Sequence, residues 1–367
     1  MTASASQQHS RPRVAIIGGT GYGGAELIRL LLAHPGVDLV RVTSIDHVDE
    51  PLEAVHLNLT ATGLRFENVP PVDAAKDVDV VFLALPHKVS ATMGPELAAL
   101  DVKVIDLSGD FRLRDAEAYA TFYGGAHPHP EHLDGRWTYG MPELDRDAIR
   151  AAQRVASPGC FATTIALGLI PLARAGLLHG AVQTVAATGS SGSGAYASAG
   201  THHPLRVANL KIYKPLEHQH TPEIEQTLRA AASQGGHDGN FQLNFVPVSA
   251  PLQRGILANS FVRVPESTTP ADIGRLFAEN YESSAFVRLV QDANGKGRHA
   301  EVVAVKGSMW VDLSWTLGAP HGGERQLVVT TALDNLVKGG AGQAVQSMNL
   351  VLGFDERYGI DAPAMWP

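Results

Sequence analysis

The apolar run Arg13-Val14-Ala15-Ile16-Ile17 breaks into Gly18-Gly19-Thr20-Gly21-Tyr22-Gly23-Gly24, resumes as Ala25-Glu26-Leu27-Ile28-Arg29-Leu30-Leu31-Leu32 and stops at His34-Pro35-Gly36. A continuous apolar run, a glycine cluster and an apolar-periodic stretch spell strand, tight turn and helix. Gly18, Gly21 and Gly24 fit a Gly-x-x-Gly-x-x-Gly variant of the dinucleotide fingerprint. Glycine suits such a turn because the backbone must bend sharply and let a pyrophosphate reach the helix N-terminus with no Cβ in the way. The segment therefore predicts a cofactor cradle with contacts at Gly18, Thr20, Gly21, Tyr22, Gly23 and Gly24.

Three further strands, over 38–44, 78–85 and 102–107, are spaced widely enough for crossover helices. Runs apolar on both faces are what a helix-covered parallel sheet requires. Past residue 160 the texture changes. Helices over 161–175, 222–232 and 270–283 mix with strands over 182–188, 241–248, 256–264, 302–305, 310–317 and 326–333, and a last helix covers 340–352. The alternation in Phe241-Gln242-Leu243-Asn244-Phe245 suits a sheet with one wetter face.

The expected fold is α/β, a Rossmann-type doubly wound parallel sheet plus a second α+β domain. The divisions are a disordered polar tail over 1–12, a dinucleotide-binding domain over 13–158, a second domain over 159–334 and a C-terminal helix within 335–367; the family resemblance carried by the motifs below implies that the second domain is the catalytic and oligomerisation domain and that the helix returns to the first. A chain of 367 residues calls for two cores, since one core stops growing near about 250 to 300 residues. The net charge of −8 and scattered lysines and arginines argue against nucleic-acid and membrane surfaces. The apolar stretch over 161–173 is too short to span a bilayer, and no secretory signal opens the chain. A single cysteine excludes an internal disulfide framework, which fits a cytoplasmic protein.

That cysteine, Cys160, stands in Ser157-Pro158-Gly159-Cys160-Phe161-Ala162-Thr163-Thr164, where an apolar run meets a helix start. A thiol in the first turn of a helix faces unpaired N–H groups and the positive end of the dipole, which favour the nucleophilic thiolate. A small buried hydrophobe is the plainer reading of a free cysteine.

A second cluster is Tyr213-Lys214-Pro215-Leu216-Glu217-His218-Gln219-His220-Thr221-Pro222-Glu223-Ile224. Thr221, Pro222 and Glu223 read as an N-cap, a proline at the first helical position and a first-turn acid. In an extended loop His218 and His220 point to opposite sides, so one of them would face a site as general acid/base. No cysteine or carboxylate cluster completes a metal site around them. Arg112 and Arg254 follow or precede strands and could hold an anion. At the end of the second strand stand Ser44-Ile45-Asp46-His47; an acid there favours the bare 2′-hydroxyl of NAD, whereas NADP usually calls for arginine.

Taken together, the glycine turn, Leu85-Pro86-His87, Asp110-Phe111-Arg112-Leu113, Pro158-Gly159-Cys160, His218-Gln219-His220-Thr221-Pro222-Glu223-Ile224, Arg254-Gly255-Ile256-Leu257 and Asp334-Asn335-Leu336-Val337-Lys338-Gly339 resemble N-acetyl-γ-glutamyl-phosphate reductases, relatives of aspartate-semialdehyde dehydrogenase. Thr201-His202-His203-Pro204 and Tyr213-Lys214-Pro215 are reminiscent of the homologues that reduce a carrier-linked α-aminoadipyl phosphate in lysine biosynthesis.

The resemblance implies a cytoplasmic homo-oligomeric oxidoreductase of arginine biosynthesis, with Cys160 as thioester-forming nucleophile and His218 as acid/base. It implies Arg112, His220, Tyr213, Glu223 and Arg254 as substrate contacts, and NADP(H) held also by Ser44, Pro86, Ser190 and Asn335. It implies a small acyl-phosphate substrate, or a carrier protein if the lysine branch holds. Ile45-Asp46 stand where the family usually has an arginine, which keeps NAD(H) open. Gln219 and Met309 also depart from the family pattern. A dinucleotide-binding sensor without turnover and a metal-dependent hydrolase are the competing classes.

Overall fold

Val14, Ala15 and Ile16 are fully buried, and that is why this run lies at the centre of a sheet. In the computed structural model, which describes residues 11–367, strand β1 (Arg13–Ile17) is flanked on one side by β2 (Asp38–Thr43) and β3 (Phe66–Glu67). On the other side lie β4 (Val80–Leu83), β5 (Lys103–Asp106), β7 (Arg154–Ala156) and β6 (Thr138–Tyr139). The order is β3-β2-β1-β4-β5-β7-β6, all parallel. The chain leaves β1 toward one edge and returns to the other, so a crevice opens at the carboxyl ends of β1 and β4, the usual ligand position in such sheets. Helices α1 (Tyr22–Ala33), α2 (Pro71–Ala74), α3 (Val89–Ala98), α4 (Ala116–Tyr123) and α5 (Pro142–Arg150) complete this domain. Of the expected tail, residues 1–10 lie outside the described residues.

The second domain begins with α6 (Cys160–Arg174), whose turns from Phe161 to Ala173 are all buried. Its sheet comprises β8 (Gly180–Thr188), β9 (Lys211–Ile212), β10 (Phe241–Ser249), β11 (Ile256–Pro265), β12 (Val287–Leu289), β13 (Val311–His321) and β14 (Glu324–Leu333). The order β12-β13-β14-β11-β8-β10-β9 mixes parallel and antiparallel pairs. Helices α7 (His203–Arg206), α8 (Thr221–Gln234) and α9 (Pro270–Tyr281) follow in the same domain. Ile165 and Leu169 of α6, Ile224 and Leu228 of α8, and Phe277 of α9 share one core with Val182, Phe245, Ala258 and Val329 of the sheet. The alternation seen in the sequence is the inside and outside of this sheet.

A π turn (Val337–Ala341) leads into α10 (Gly342–Val351), where Ala344, Val345 and Met348 pack with Leu27 and Ile28 of α1. The last helix thus ties the chain back to the first domain. Met309, a departure from the family pattern, is a core residue there, its sulfur against Gly342. The strand expected over 302–305 is instead a run of turns. Val305 is buried with Ala300 and Ala332, and Val302 packs on Gly255, whose φ is +100°; packing outweighs the β preference of the valines.

Candidate active site

The β1–α1 turn is shaped by contacts in which a side chain has no room. Gly18 has φ +92°, and a Cβ there would lie 2.8 Å from the Ala84 carbonyl oxygen; one on Gly24 would lie 2.7 Å from the Gly19 carbonyl carbon. Gly21 and Gly23 face open space. Gly21 is the N-cap of α1, so the unpaired N–H groups of the first turn look into a cleft of about 1300 Å³ between the two domains. That bare, amide-rich floor fits the pyrophosphate of a dinucleotide. Thr20, Tyr22, Ser44 and Pro86 also line the cleft.

Cys160 stands at the first residue of α6, partly open to the same cleft. The local sequence places it there: Gly159 is the N-cap, and a Cβ on Gly159 would lie 2.4 Å from His220 Nε2. The absent side chain is what lets the imidazole close on the Cys160 turn. From the far side, Gly339 abuts Cys160, where an added Cβ would lie 3.0 Å from the Cys160 Cβ.

The expectation of a ready thiolate is corrected. Burial pushes the Cys160 thiol up to about 11, outweighing the Phe161 backbone N–H and the Arg112 charge, both of which favour the anion. The resting side chain is a thiol.

The two histidines do not point apart. The segment turns rather than extends, with the His220 N–H donating to His218 Nδ1 at 3.1 Å and the Thr221 N–H donating to the His218 carbonyl at 2.8 Å. Both rings line the cleft, 4.8 Å apart between centroids. The N-cap position of α8 falls to His220, and Thr221 is the first helical residue, its hydroxyl buried without a partner. His218 sits edge-on against Phe161, Phe245 and Tyr213. Burial, followed by the Lys214 charge, holds it down to about 4. At neutral pH the ring is uncharged, and its accepting Nδ1 assigns the proton to Nε2, a donor. Burial also holds His220 well below its ordinary value, and its Nδ1 has no partner.

Glu223 and Arg112 are drawn beneath the cleft. Glu223 is fully buried; its Oε1 accepts the Gly159 N–H and the Tyr139 hydroxyl, each at 2.8 Å. Its Oε2 stands 3.4 Å from Arg112 Nη1. The Arg112 guanidinium also donates to the carbonyls of Ser157 and Leu107, each at 2.7 Å, so it braces the Cys160 turn while one edge lines the cleft. Glu223 does not line it. Arg254, expected at the substrate, also does not line it; it bridges the domains to Glu26 at 2.6 Å and to Asp334 at 3.6 Å.

Ser190 lies one residue off the cleft wall. Its neighbour Ser191 lines the cleft, its hydroxyl accepting from the Asn335 amide at 3.0 Å. Asn335 accepts the Gly255 N–H at 2.7 Å and also lines the cleft, as does Tyr213, whose hydroxyl burial pushes upward in pKa. Gln219 lines it too, with its side-chain oxygen buried and unpartnered. His87 and Lys214, present in two of the sequence motifs but not expected at the site, line the cleft as well. The His87 Nδ1 accepts the Gly109 N–H at 2.8 Å, and burial with the Arg112 charge holds the ring down to about 4. Among the described residues no group of three or more metal-ligating side chains occurs, and no helix is long and apolar enough to cross a membrane.

Residues 13–152 match the NAD-binding domain of semialdehyde dehydrogenases, and residues 160–335 match their dimerisation domain. The chain is 41% identical over 358 residues to an N-acetyl-gamma-glutamyl-phosphate reductase of Ectopseudomonas mendocina, covering 97% of this chain and 99% of the relative. It is 40% identical over 358 residues to a LysW-L-2-aminoadipate 6-phosphate reductase of Deinococcus radiodurans, covering 96% and 98%. Aspartate semialdehyde dehydrogenase II of Vibrio cholerae shares the fold at a TM-score of 0.67 and 18% identity, over 94% of this chain and 99% of that one. With both family domains matched and full-length relatives near 40% identity, the chain belongs to the semialdehyde dehydrogenase family of oxidoreductases.

Proposed function

We propose that the protein reduces N-acetyl-γ-glutamyl phosphate to the 5-semialdehyde and phosphate through a thioester on Cys160. The observation that carries this reading is the placement of Cys160, at a helix start, on the wall of the cleft that the glycine turn also lines. The Cys160 sulfur forms a bond to the acyl carbon as the bond to the phosphate oxygen breaks, and phosphate leaves. The thiol proton passes to the departing phosphate during this attack, since burial keeps the resting thiol protonated and His218 Nδ1 already accepts the His220 N–H. Held at the glycine turn, a reduced nicotinamide dinucleotide would supply the hydride that takes the acyl group to the aldehyde level.

His218 Nε2–H donates to the acyl oxygen as it gains charge, and the C–S bond then breaks to release the aldehyde. Arg112 and Lys214 set a positive field at the end of the cleft where the phosphate departs. Tyr213 and His220 line the acyl site, and Glu223 holds the turn that carries the sulfur. Ser44, Pro86 and Asn335 border the dinucleotide.

The test is the reverse reaction, with N-acetylglutamate semialdehyde, phosphate and an oxidised dinucleotide, followed at the nicotinamide absorbance. Turnover with the native chain and none with Cys160→Ser is expected. A Cys160→Ser variant with undiminished turnover would overturn the thioester.

A carrier-linked α-aminoadipyl phosphate is the second reading. It is favoured by Tyr196, Leu205, Leu210 and Ile212, which are exposed in the segment bordering the cleft, as a bulky carrier would require. Comparing free and carrier-bound semialdehydes in the same assay separates the two. The homo-oligomer is proposed to form through the sheet face opposite α6 and α8, where Val185 and Phe261 are exposed.

A further inference from the structure

The end of β2 closes the adenosine side of the cleft. The Ser44 hydroxyl accepts the N–H of Asp46 at 3.1 Å and of His47 at 3.2 Å, a turn that folds the chain back on the strand end. Ile45 and Asp46 are both exposed and both border the cleft. Among the described residues the Asp46 carboxylate makes no hydrogen bond or ion pair within the protein.

The cations in this neighbourhood are engaged elsewhere. Arg41 donates to Glu67 at 2.9 Å and to the Ala74 carbonyl at 2.9 Å. Arg65 donates to the Asp49 carbonyl at 2.5 Å, and His47 pairs with Glu50 at 3.1 Å. The arginines and lysines that border the cleft, Arg112, Arg206, Lys211 and Lys214, all belong to its catalytic side.

A ribose with a free 2′-hydroxyl and a ribose carrying a 2′-phosphate ask opposite things of this corner. The hydroxyl donates to a carboxylate; the phosphate needs an arginine or lysine and is repelled by an acid. We propose that Asp46 selects NADH over NADPH by accepting the adenosine ribose hydroxyls. This rests on the reading above that a nicotinamide dinucleotide occupies the cleft, and it assigns the choice between the two to one side chain.

The experiment is binding without substrate. NADH and NADPH are titrated into the full chain and followed by calorimetry and by energy transfer from protein tryptophan to the nicotinamide. The native chain is expected to bind NADH on the order of tenfold or more tighter than NADPH, the scale of hydrogen bonds to a charged group. Asp46→Ser should lose about tenfold for NADH and gain for NADPH. The pair Ile45→Arg with Asp46→Ser should prefer NADPH. Tighter NADPH binding by the native chain, or an unchanged ratio in Asp46→Ser, overturns the assignment. If neither nucleotide binds, the cofactor reading fails and the role of Asp46 with it, whereas a failure of the acyl-phosphate chemistry alone leaves the binding ratio intact.

Discussion

Glu223 Oε1 lies 2.8 Å from the Gly159 nitrogen, so a carboxylate in the first turn of α8 holds the backbone residue just before Cys160 at the start of α6. The same carboxylate accepts from Tyr139 and faces Arg112, whose charge is raised in stability chiefly against its own burial by Glu223. Replacing Glu223 by alanine leaves the Gly159 N–H and the Tyr139 hydroxyl without their acceptor and the buried Arg112 guanidinium without its counter-charge. The expected cost is about 3 to 5 kcal/mol in urea unfolding. Glu223→Gln keeps one acceptor and should cost less, with kcat falling more than KM rises. An alanine variant as stable as the native protein would remove Glu223 from this role.

The raised Cys160 thiol has a direct chemical consequence. Carbamidomethylation of the enzyme without substrate should be slower at pH 7 than that of free cysteine and should climb about tenfold per pH unit toward pH 11. Mass spectrometry of the modified peptide follows it. A rate that levels off near pH 8 would mean an accessible thiolate, as the helix start by itself suggests.

His218 predicts acid sensitivity. Unfolded, the ring takes a proton near pH 6.5; folded, it resists until about pH 4, so the stability it contributes is present above pH 6.5 and lost as pH falls through that window. The loss amounts to about 3 kcal/mol at the low end. His220 acts in the same direction. Urea midpoints at pH 7 and pH 4.5 should converge in His218→Asn relative to the native chain.

Arg254 and Glu26 join the two domains across the β11 and α1 segments. A double-mutant cycle with Arg254→Ala and Glu26→Ala should return a coupling of about 1 to 2 kcal/mol in thermal or urea unfolding. Since Arg254 does not border the cleft, the substrate KM should change little. A large KM rise with additive stabilities would return Arg254 to the substrate.

Phe261 and Val185 lie on the uncovered sheet face, on the paired strands β11 and β8. Phe261→Asp places a charge where a second copy would pack. Sedimentation velocity should show a smaller species than the native protein; an unchanged value would direct the interface elsewhere.

The local architecture was legible from residues alone. Glycines between an apolar run and an amphipathic stretch specify β1, its turn and α1, because backbone freedom and periodicity are properties of neighbours in the chain. The setting of Cys160 at a helix start was legible for the same reason. The contacts that set the site's chemistry were not. Glu223 reaches Gly159 across 64 residues, Arg112 reaches Glu223 across 111 and Arg254 reaches Glu26 across 228.

A first-turn acid in α8 reads as part of a helix start and, by resemblance, as a substrate contact; folding turns it into the brace beneath Cys160. Two histidines at a spacing of two read as pointing apart, but a turn at His218 brings both into one cleft. The helix start argued for a thiolate, yet the walls supplied by Phe161, Tyr213 and the π turn exclude water and leave a thiol. Chain order could place the reacting groups on their elements, whereas their charge states depend on which distant surfaces close over them, and desolvation is a property of the assembled fold.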